Sequence, residues 1–145
     1  MTADVDAQGW AVVGVTANCR FFDVERGVLA ALPLSPAIDD EATARENSAF
    51  HEEYFRTRGT SGVVILFFDG FVSQDTNARR VYREARRELV LAVAFVARSL
   101  LGRAIASFAL GGRLPSARRK MFTTLEDALP WVRTQRDRTA HEEEP

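Results

Sequence analysis

The sequence predicts a single α/β domain: a mixed, mostly parallel sheet of about five strands, combined with four helices. The length of 145 residues suits one domain. Stretches with strand and helix character alternate in the order ββαβαβαβα, which is typical of a parallel sheet with helical crossovers. Residues 62–68 are apolar on both faces, as expected of a central strand covered by helices.

The first two strands are predicted at residues 19–24 and 28–34, joined in a hairpin that ends at Gly27. Pro33 and Pro36 then stop the pairing, because proline has no N–H to donate to a sheet. We therefore expect a break in the sheet before the first helix.

The first helix is predicted over residues 40–58, with acidic residues at its positive end and Gly59 to end it. His51 lies beside Glu52 and Glu53 and lacks the second histidine of a zinc-hydrolase helix, so we expect it to face solvent. The predicted buried stripe consists of Ile38, Ala42, Ala49, Phe50 and Tyr54.

The second helix is predicted to begin at a cap, Asp75 or Thr76, and to run to about residue 87. A buried strand follows over residues 89–97, and then a helix over residues 100–110. The apolar residues at helical spacing in this third helix are Leu101, Ala104, Ile105 and Phe108, which we expect to pack on the sheet.

A short last strand is predicted at residues 118–122, and Thr123 and Glu126 form a capping box for the last helix. The domain is predicted to cover residues 19–137. Residues 1–18 form a leader in which residues 11–15 are a candidate edge strand, and residues 138–145 form an acidic, disordered tail.

Composition excludes several classes of protein. The longest uninterrupted apolar run has nine residues, far below the roughly 20 that a membrane helix needs. One cysteine, Cys19, permits neither an internal disulfide nor a cysteine metal cluster, and it is most simply a small buried hydrophobe. The acidic start has no secretory-signal pattern. We therefore expect a cytoplasmic protein with no membrane span, no metal and no cofactor.

Charge is unevenly distributed along the chain. Residues 1–59 carry a net charge of −5, residues 60–120 carry +7 and residues 121–145 carry −3. The basic middle third either binds anions or is neutralised by the acidic flanks in the folded protein. Nucleic acid is not an expected partner, because the chain is not basic overall and has no recognisable nucleic-acid module.

Two stretches, residues 95–108 and 121–132, together with the order of strands and helices, resemble the SpoIIAA-like branch of the STAS superfamily over roughly residues 19–135. The resemblance implies a STAS-like α/β fold. It also implies a regulatory module that binds a protein partner, as anti-sigma-factor antagonists do. The same branch is compared with Sec14-type carriers of apolar ligands, which implies a small-ligand carrier as the alternative.

The phosphorylation switch of the antagonists is altered in this chain. In that family an Asp-Ser-Ser-Gly sequence follows the central strand, and the matching positions here are Asp75, Thr76, Asn77 and Ala78. Asn77 stands in place of the phosphorylated serine and has no hydroxyl group. The resemblance therefore implies an interaction module without the serine switch.

Candidate binding residues cluster where two predicted strands end. Helix starts near residues 76 and 99 are expected to direct free N–H groups into one crevice, a setting that favours a carboxylate or a phosphate. Asp69 and Asp75 are an alternative acid/base pair, although a cap role explains Asp75 without chemistry. The seven candidate ligand- or partner-binding residues are Asp69, Asp75, Thr76, Asn77, Arg79, Arg98 and Ser99.

Three functions follow from these patterns. The sequence has no Gly-rich phosphate loop, nucleophile elbow or dinucleotide fingerprint, so a non-enzymatic module that binds a protein partner, with a homodimer as one option, leads over an enzyme. A carrier of a small apolar or anionic ligand is the alternative. Five phenylalanines either line its pocket or fill the core: Phe67, Phe68, Phe71, Phe95 and Phe108.

Overall fold

A computed structural model describes residues 9–85, 88–110 and 118–142 of the chain. Its main sheet has six strands in the order β1-β2-β3-β5-β7-β8, and β4 and β6 form a second, two-stranded sheet. The strands are β1 (Ala11–Val15), β2 (Cys19–Glu25), β3 (Val28–Pro33), β4 (Ala37–Asp39), β5 (Gly62–Phe67), β6 (Phe71–Gln74), β7 (Val90–Val96) and β8 (Arg118–Phe122).

Four helices lie within the described residues: α1 (Glu41–Thr57), α2 (Thr76–Glu84), α3 (Leu100–Leu110) and α4 (Leu125–Glu142). The predicted α/β class and the four helices are confirmed. No helix in this part of the chain combines the length and the apolar composition that a membrane crossing requires.

The main sheet is antiparallel at one side and parallel at the other. β1, β2 and β3 pair antiparallel, whereas β3, β5, β7 and β8 pair in parallel. Ile65 of β5 stands between Ala30 of β3 and Ala94 of β7, which places the most buried strands at the centre. The strand predicted at residues 89–97 is therefore extended and buried, so the mixed, mostly parallel sheet is confirmed.

Helices cover both faces of the main sheet. On one face Ala128 and Val132 of α4 pack on the buried side chains of β3, β5 and β7. On the other face Phe55 of α1 and Ile105 of α3 belong to a second cluster, which also includes Val64 and Val93. Helix α2 lies over α1, where Val81 and Ala78 pack on Ala44. This second face contains the candidate site.

The number of strands differs from the prediction of about five. The candidate edge strand at residues 11–15 pairs with β2 and becomes the sixth strand of the main sheet. The β4–β6 sheet was not predicted at all. Its two strands lie more than 30 residues apart in sequence and are only three and four residues long, so neither carries a detectable strand pattern alone.

Local turns follow the sequence more closely. Gly27 in the β2–β3 turn has a φ of 74° and Gly59 after α1 has a φ of 65°, both in the left-handed region that favours glycine. Asp40 caps α1, accepting from the Thr43 amide at 3.0 Å, while the Thr43 hydroxyl accepts from the Asp40 amide at 2.8 Å. These boundaries agree with the predicted helix to within one residue.

Three helix boundaries differ from the predictions. Helix α2 ends at Glu84, because Ala85 is already extended, and residues 86–87 lie outside the described part. The cap of α4 is Thr124, whose hydroxyl accepts from the Asp127 amide at 3.1 Å, one residue later than predicted. The α4 helix continues past residue 138 to Glu142, because no glycine or proline interrupts it there; residues 143–145 of the predicted tail are not described.

Candidate ligand site

The N-terminus of α3 is capped by a side chain from another element. Asp69, two residues after the end of β5, accepts from the Arg98 amide at 2.8 Å, the Ser99 amide at 2.9 Å and the Ser99 hydroxyl at 2.8 Å. The Ser99 hydroxyl in turn accepts from the Gly102 amide at 2.9 Å. The N–H groups at the start of α3 were expected to face an open crevice. Those of Arg98 and Ser99 instead donate to a carboxylate of the chain itself.

Hydrogen bonding also sets the ionisation of Asp69. Partial burial pushes its pKa upward, but the two amides and the hydroxyl outweigh this effect and hold the pKa below its ordinary value. Asp69 is thus an ionised cap, the group that a helix N-terminus prefers. This geometry explains Asp69 without an acid/base role.

The remaining predicted residues form a second cap at α2. Asp75 accepts from the Ala78 amide at 2.7 Å, which confirms its cap role. Arg79 donates to the Gln74 carbonyl at 2.9 Å and to the Thr76 hydroxyl at 3.3 Å, and Asn77 is exposed. Of the seven predicted site residues, Arg79 alone lines the cavity between the main sheet and helices α1 and α2 that is described next.

A cavity lies between the second face of the main sheet and helices α1 and α2. Its volume is about 50 Å³. β4, β6 and α2 each contribute residues to its lining, and Phe68, Phe71 and Phe95 form much of its apolar wall. The polar lining comprises Cys19, Asp39, Asn47, His51, Gln74, Tyr82, Arg79, Arg83 and Arg119.

Asp39 is the centre of a buried hydrogen-bond network at this cavity. The residue is 1% exposed. One carboxylate oxygen accepts from the Thr43 hydroxyl at 2.7 Å, the Tyr82 hydroxyl at 3.2 Å and the Asn18 amide at 3.3 Å. The other oxygen accepts from the Gln74 amide at 2.9 Å. Asp39 thereby joins β4 to β6, α1 and α2.

The network continues through Asn47 of α1. Its amide nitrogen donates to the Asn18 carbonyl oxygen at 2.9 Å and to the Tyr82 hydroxyl at 3.2 Å, and its oxygen accepts from the Thr16 hydroxyl at 2.6 Å. Three of these residues, Thr16, Asn18 and Asn47, are buried. A buried polar network of this extent is rigid when its members are satisfied.

Burial is the largest influence on the pKa values of Asp39, Tyr82 and Cys19. It raises the pKa of Asp39, although the four donors around the carboxylate oppose this shift. Burial, and secondarily the charge of Asp39, raises the pKa of Tyr82. The same two causes raise the pKa of the Cys19 thiol to about 12. Cys19 is therefore a thiol rather than a thiolate at neutral pH and is not an activated nucleophile.

The expectation that His51 faces solvent is wrong. His51 is 1% exposed rather than solvated, lines the cavity, and lies edge-on to Phe21 with ring centroids 5.6 Å apart. The reason is the orientation of α1, which turns Asn47, Ser48 and His51 inward. Of the predicted apolar stripe, Tyr54 is buried and Phe50 is half-buried, whereas Ile38, Ala42 and Ala49 are exposed. The residues buried on α1 are Ala44, Asn47, Ser48, His51, Tyr54 and Phe55.

Three arginines lie on the side of the cavity that retains exposure. Arg83 is exposed, and Arg79 and Arg119 are half-buried. Burial lowers the pKa of Arg119, and the nearby positive charge of Arg83 lowers it further. Among the described residues that line the cavity, Asp39 is acidic and Arg79, Arg83 and Arg119 are basic.

Sequence reasoning missed most of this site, although one signal was present. Asn47 and His51 stand four residues apart and thus on one helix face, which would have indicated a polar interior side for α1. Asp39 and Gln74 meet only through the unpredicted β4–β6 pairing. Among the described residues no group of three His, Cys, Asp or Glu side chains is placed to hold a metal ion.

Comparison with known proteins identifies one related family. A family model described as a domain of unknown function (DUF7793) matches residues 45–136, nearly two thirds of the chain. The match includes the cavity residues of α1, α2 and β5 to β8 but not Cys19 or Asp39. No curated protein and no solved structure matches the chain.

Proposed function

We propose that this chain, which belongs to the DUF7793 family of domains of unknown function, is a non-enzymatic module that binds a small molecule in the cavity under α1 and α2. The observation that carries the proposal is the cavity itself: aromatic walls combined with a few fixed polar groups are the usual composition of a ligand site.

The lining also supports binding rather than catalysis. The Cys19 thiol has a raised pKa and is a poor nucleophile, and both oxygens of Asp39 are occupied by hydrogen-bond donors. Neither group is placed to start a reaction. We therefore propose a receptor or carrier role, with a cytoplasmic location that agrees with the reduced, single cysteine.

Native mass spectrometry of the protein purified from its own cells tests this proposal, together with thermal-shift measurements over organic acids, phosphates, amines and lipids. We expect a bound mass or a rise in melting temperature that Val93→Phe abolishes, because Val93 lines the cavity. Val12→Phe on the exposed edge of β1 is the matched control and should bind normally.

Val93→Ile adds less volume to the cavity than Val93→Phe and is the second variant in case Val93→Phe does not fold. It should weaken binding less than Val93→Phe does. A mass equal to the bare chain, with no compound in the panel raising the melting temperature, would refute the proposal.

A protein-interaction module of the SpoIIAA-like type is the second candidate, and one surface favours it. Helix α3 buries Ile105 of the predicted stripe together with Gly102 and Ala106, whereas Leu101, Ala104 and Phe108 of that stripe are exposed. Leu100 is 90% and Phe108 68% exposed. Apolar side chains this exposed are typical of a contact surface. Size-exclusion chromatography of the wild type and of Phe108→Ser would show self-association that depends on this helix, if the partner is a second copy.

A further inference from the structure

We infer that the outer side of α3 binds an amphipathic helix of a partner protein, and that this helix has acidic residues on both sides of its apolar stripe. The inference rests on the protein-interaction function given above as the second candidate, and it names the chemistry of the partner. Two features of the surface lead to it. Exposed apolar side chains form a line along α3, and an arginine lies on each side of that line.

The apolar line consists of residues that share one side of the helix. Leu100, Ala104 and Phe108 follow one another at intervals of four residues, and all three are exposed. Leu101 is exposed next to them. Apolar residues that recur every three or four positions are the pattern through which one helix packs along another. The outer side of α3 therefore has the spacing that a second helix requires.

On the side of the line that faces β6, an arginine is held against Phe108. The guanidinium carbon of Arg79 lies 5.4 Å from the centre of the Phe108 ring. The same side chain donates to the Gln74 carbonyl at 2.9 Å and to the Thr76 hydroxyl at 3.3 Å. These contacts fix a positive charge beside the apolar line.

Arg103 takes the corresponding position on the opposite side of the line. Its Nη1 atom donates to the Ala97 carbonyl at 3.2 Å and to the Thr123 hydroxyl at 3.0 Å, which directs the side chain toward the end of β8. The acceptors of Arg79 and Arg103 are all uncharged, and among the described residues neither guanidinium group forms an ion pair. Both positive charges are thus held in place without a contacting carboxylate.

These two charges determine the sign of the flanks of the partner. A helix packed along the line places its own flanking residues opposite Arg79 and Arg103, where a glutamate or aspartate forms a charge-assisted hydrogen bond. A second copy of this chain does not supply such a residue from α3, since Arg103 is the only charged residue in the sequence of that helix. Two α3 helices packed together would add positive charge to positive charge, so we expect a different protein as the partner.

An anionic lipid surface matches the surroundings of α3 less well. Asp69 lies at the start of α3, and the exposed Asp75 lies one helical turn before Arg79. An extended negative surface would face these carboxylates as well as the arginines, and like charges repel. A single helix contacts only the apolar line and its two flanks, so it meets the arginines alone.

Fluorescence anisotropy with two matched peptides tests the inference. Both peptides are three-heptad helices with leucine at the two core positions of each heptad. One has glutamate and the other lysine at the flanking positions, and these like charges keep each peptide from pairing with itself. We expect the glutamate peptide to bind with a Kd in the micromolar range, about ten-fold or more tightly than the lysine peptide, and to bind more weakly as salt is added.

Variants locate the peptide on α3. Leu100→Ser and Phe108→Ser should each weaken binding of the glutamate peptide about ten-fold, whereas Val15→Ser, which removes an exposed apolar side chain from β1, should have no effect. Arg103→Glu should weaken binding of the glutamate peptide and strengthen that of the lysine peptide, each by about ten-fold. Arg56→Glu, at an exposed arginine of α1, should change neither. Circular dichroism shows whether each variant is folded, and Leu100→Ser alone suffices if Phe108→Ser is not.

Several results would overturn the inference. Equal affinity for the two peptides would show that acidic flanks are not recognised, and a glutamate peptide that binds Leu100→Ser and Phe108→Ser normally would place the contact elsewhere. Flotation with phosphatidylcholine vesicles that contain phosphatidylglycerol, if lost in Leu100→Ser, would assign the surface to lipid. A dimer that Phe108→Ser dissociates would assign it to a second copy.

The failure of the acidic helix and the failure of the interaction function give different results. If neither peptide binds, cross-linking in the native lysate compares the wild type with Phe108→Ser and Val15→Ser. A partner lost only in Phe108→Ser would refute the acidic helix and leave the interaction function intact. The absence of any such partner, of lipid binding and of a dimer would refute both.

Discussion

Asp39 shows how one residue sets the character of the cavity. A carboxyl group at 1% exposure loses most of its hydration, which disfavours its charged form. The chain offsets this cost with donors from Thr43, Tyr82, Asn18 and Gln74, which come from four different segments. The Gln74 amide and the Tyr82 hydroxyl depend on this carboxylate as their acceptor, whereas Asn18 also donates to the Ile38 carbonyl at 3.1 Å and the Thr43 hydroxyl also donates to the Asp40 carbonyl at 3.1 Å.

Asp39→Ala should lower the free energy of unfolding by about 2–4 kcal/mol, because several buried donors lose their acceptor at once. Asp39→Asn keeps the shape and should cost less than half as much, since the Gln74 amide can reverse and accept from the new nitrogen. Urea denaturation followed by circular dichroism measures both changes. Equal losses in the two variants would contradict the role of the network.

The difference in stability between the wild type and Asp39→Asn should change with pH in one direction. The folded-state pKa of Asp39 is raised above its ordinary value of 3.8, so its contribution to stability is complete below that pH and declines as the pH rises through the folded-state pKa. The asparagine variant does not titrate. The stability of the wild type relative to Asp39→Asn should therefore decrease as the pH is raised from below 3.8 toward neutrality.

The sequence predicted the role of a single residue correctly where that role depends on its neighbours in the chain. The cap role of Asp75 depends on the three residues that follow it, and the structure confirms it. The prediction that His51 faces solvent was wrong. Its burial depends on how α1 is rotated against the sheet, and the pattern of apolar residues does not indicate that rotation because the inner side of α1 includes polar residues.

At the scale of elements, α3 is fixed by a contact that is remote in sequence. Asp69 reaches across from the end of β5 to cap α3, 30 residues later. Gly102 makes the approach possible, because a Cβ atom there would collide with the Asp69 carboxylate and lie 2.8 Å from the Ser99 hydroxyl. The close contact rotates the Gly102 side of α3 toward the sheet and leaves Leu101 and Phe108 outside.

Asp69→Ala should destabilise the protein by about 1 kcal/mol through the loss of the α3 cap. Because the folded-state pKa of Asp69 lies below the ordinary 3.8, its stabilising effect is present above that pH and is lost as the pH falls through the folded-state pKa. The difference in stability between the wild type and Asp69→Asn should shrink in acid. Asp137→Asn, on the exposed side of α4, is the control, and a constant difference between wild type and Asp69→Asn would argue against an ionised cap.

Strands and helices with a strong pattern of their own were predictable. The buried strands β5 and β7 were evident from continuous apolar sequence, and α1 from its acidic start and closing glycine. The β4–β6 pairing was not, since each strand gains its stability only from a partner more than 30 residues away. The cavity depends on that pairing, which is why the sequence indicated the fold far better than the site.

At the scale of the whole molecule, the last helix is tied to the N-terminal hairpin. Glu25 of β2 accepts from Arg133 of α4 at 2.9 Å and forms an ion pair with Arg136 at 2.6 Å. Hydrogen bonding from Arg133, followed by that from Arg136, lowers the pKa of Glu25 against the opposing effect of burial. An ion-pair network thus joins the two acidic flanks of the sequence, and Arg80 of the basic middle third pairs with Glu41 of the first flank at 3.6 Å.

Glu25→Gln should cost about 1 kcal/mol at low ionic strength and clearly less in 1 M salt, because partly exposed ion pairs are screened. The control is Glu53→Gln, which breaks a single exposed pair with Arg56 and should change stability by no more than a few tenths of a kcal/mol. Thermal unfolding at two salt concentrations measures both. A loss of stability that is the same at both salt concentrations would show that Glu25 stabilises the protein through packing rather than through its ion pairs.

The β4–β6 pairing is separate from the main sheet, and this separation has an energetic consequence. Its three register pairs can come apart without breaking any hydrogen bond of the six-stranded sheet. The strands beside the cavity are thus hydrogen-bonded separately from the six-stranded sheet, and Ala37 and Phe71 join them to it through the hydrophobic cluster that includes Val64 and Val93. A substitution that weakens the β4–β6 pairing therefore acts on the lining of the cavity directly and reaches the main sheet through side-chain packing rather than through strand pairing.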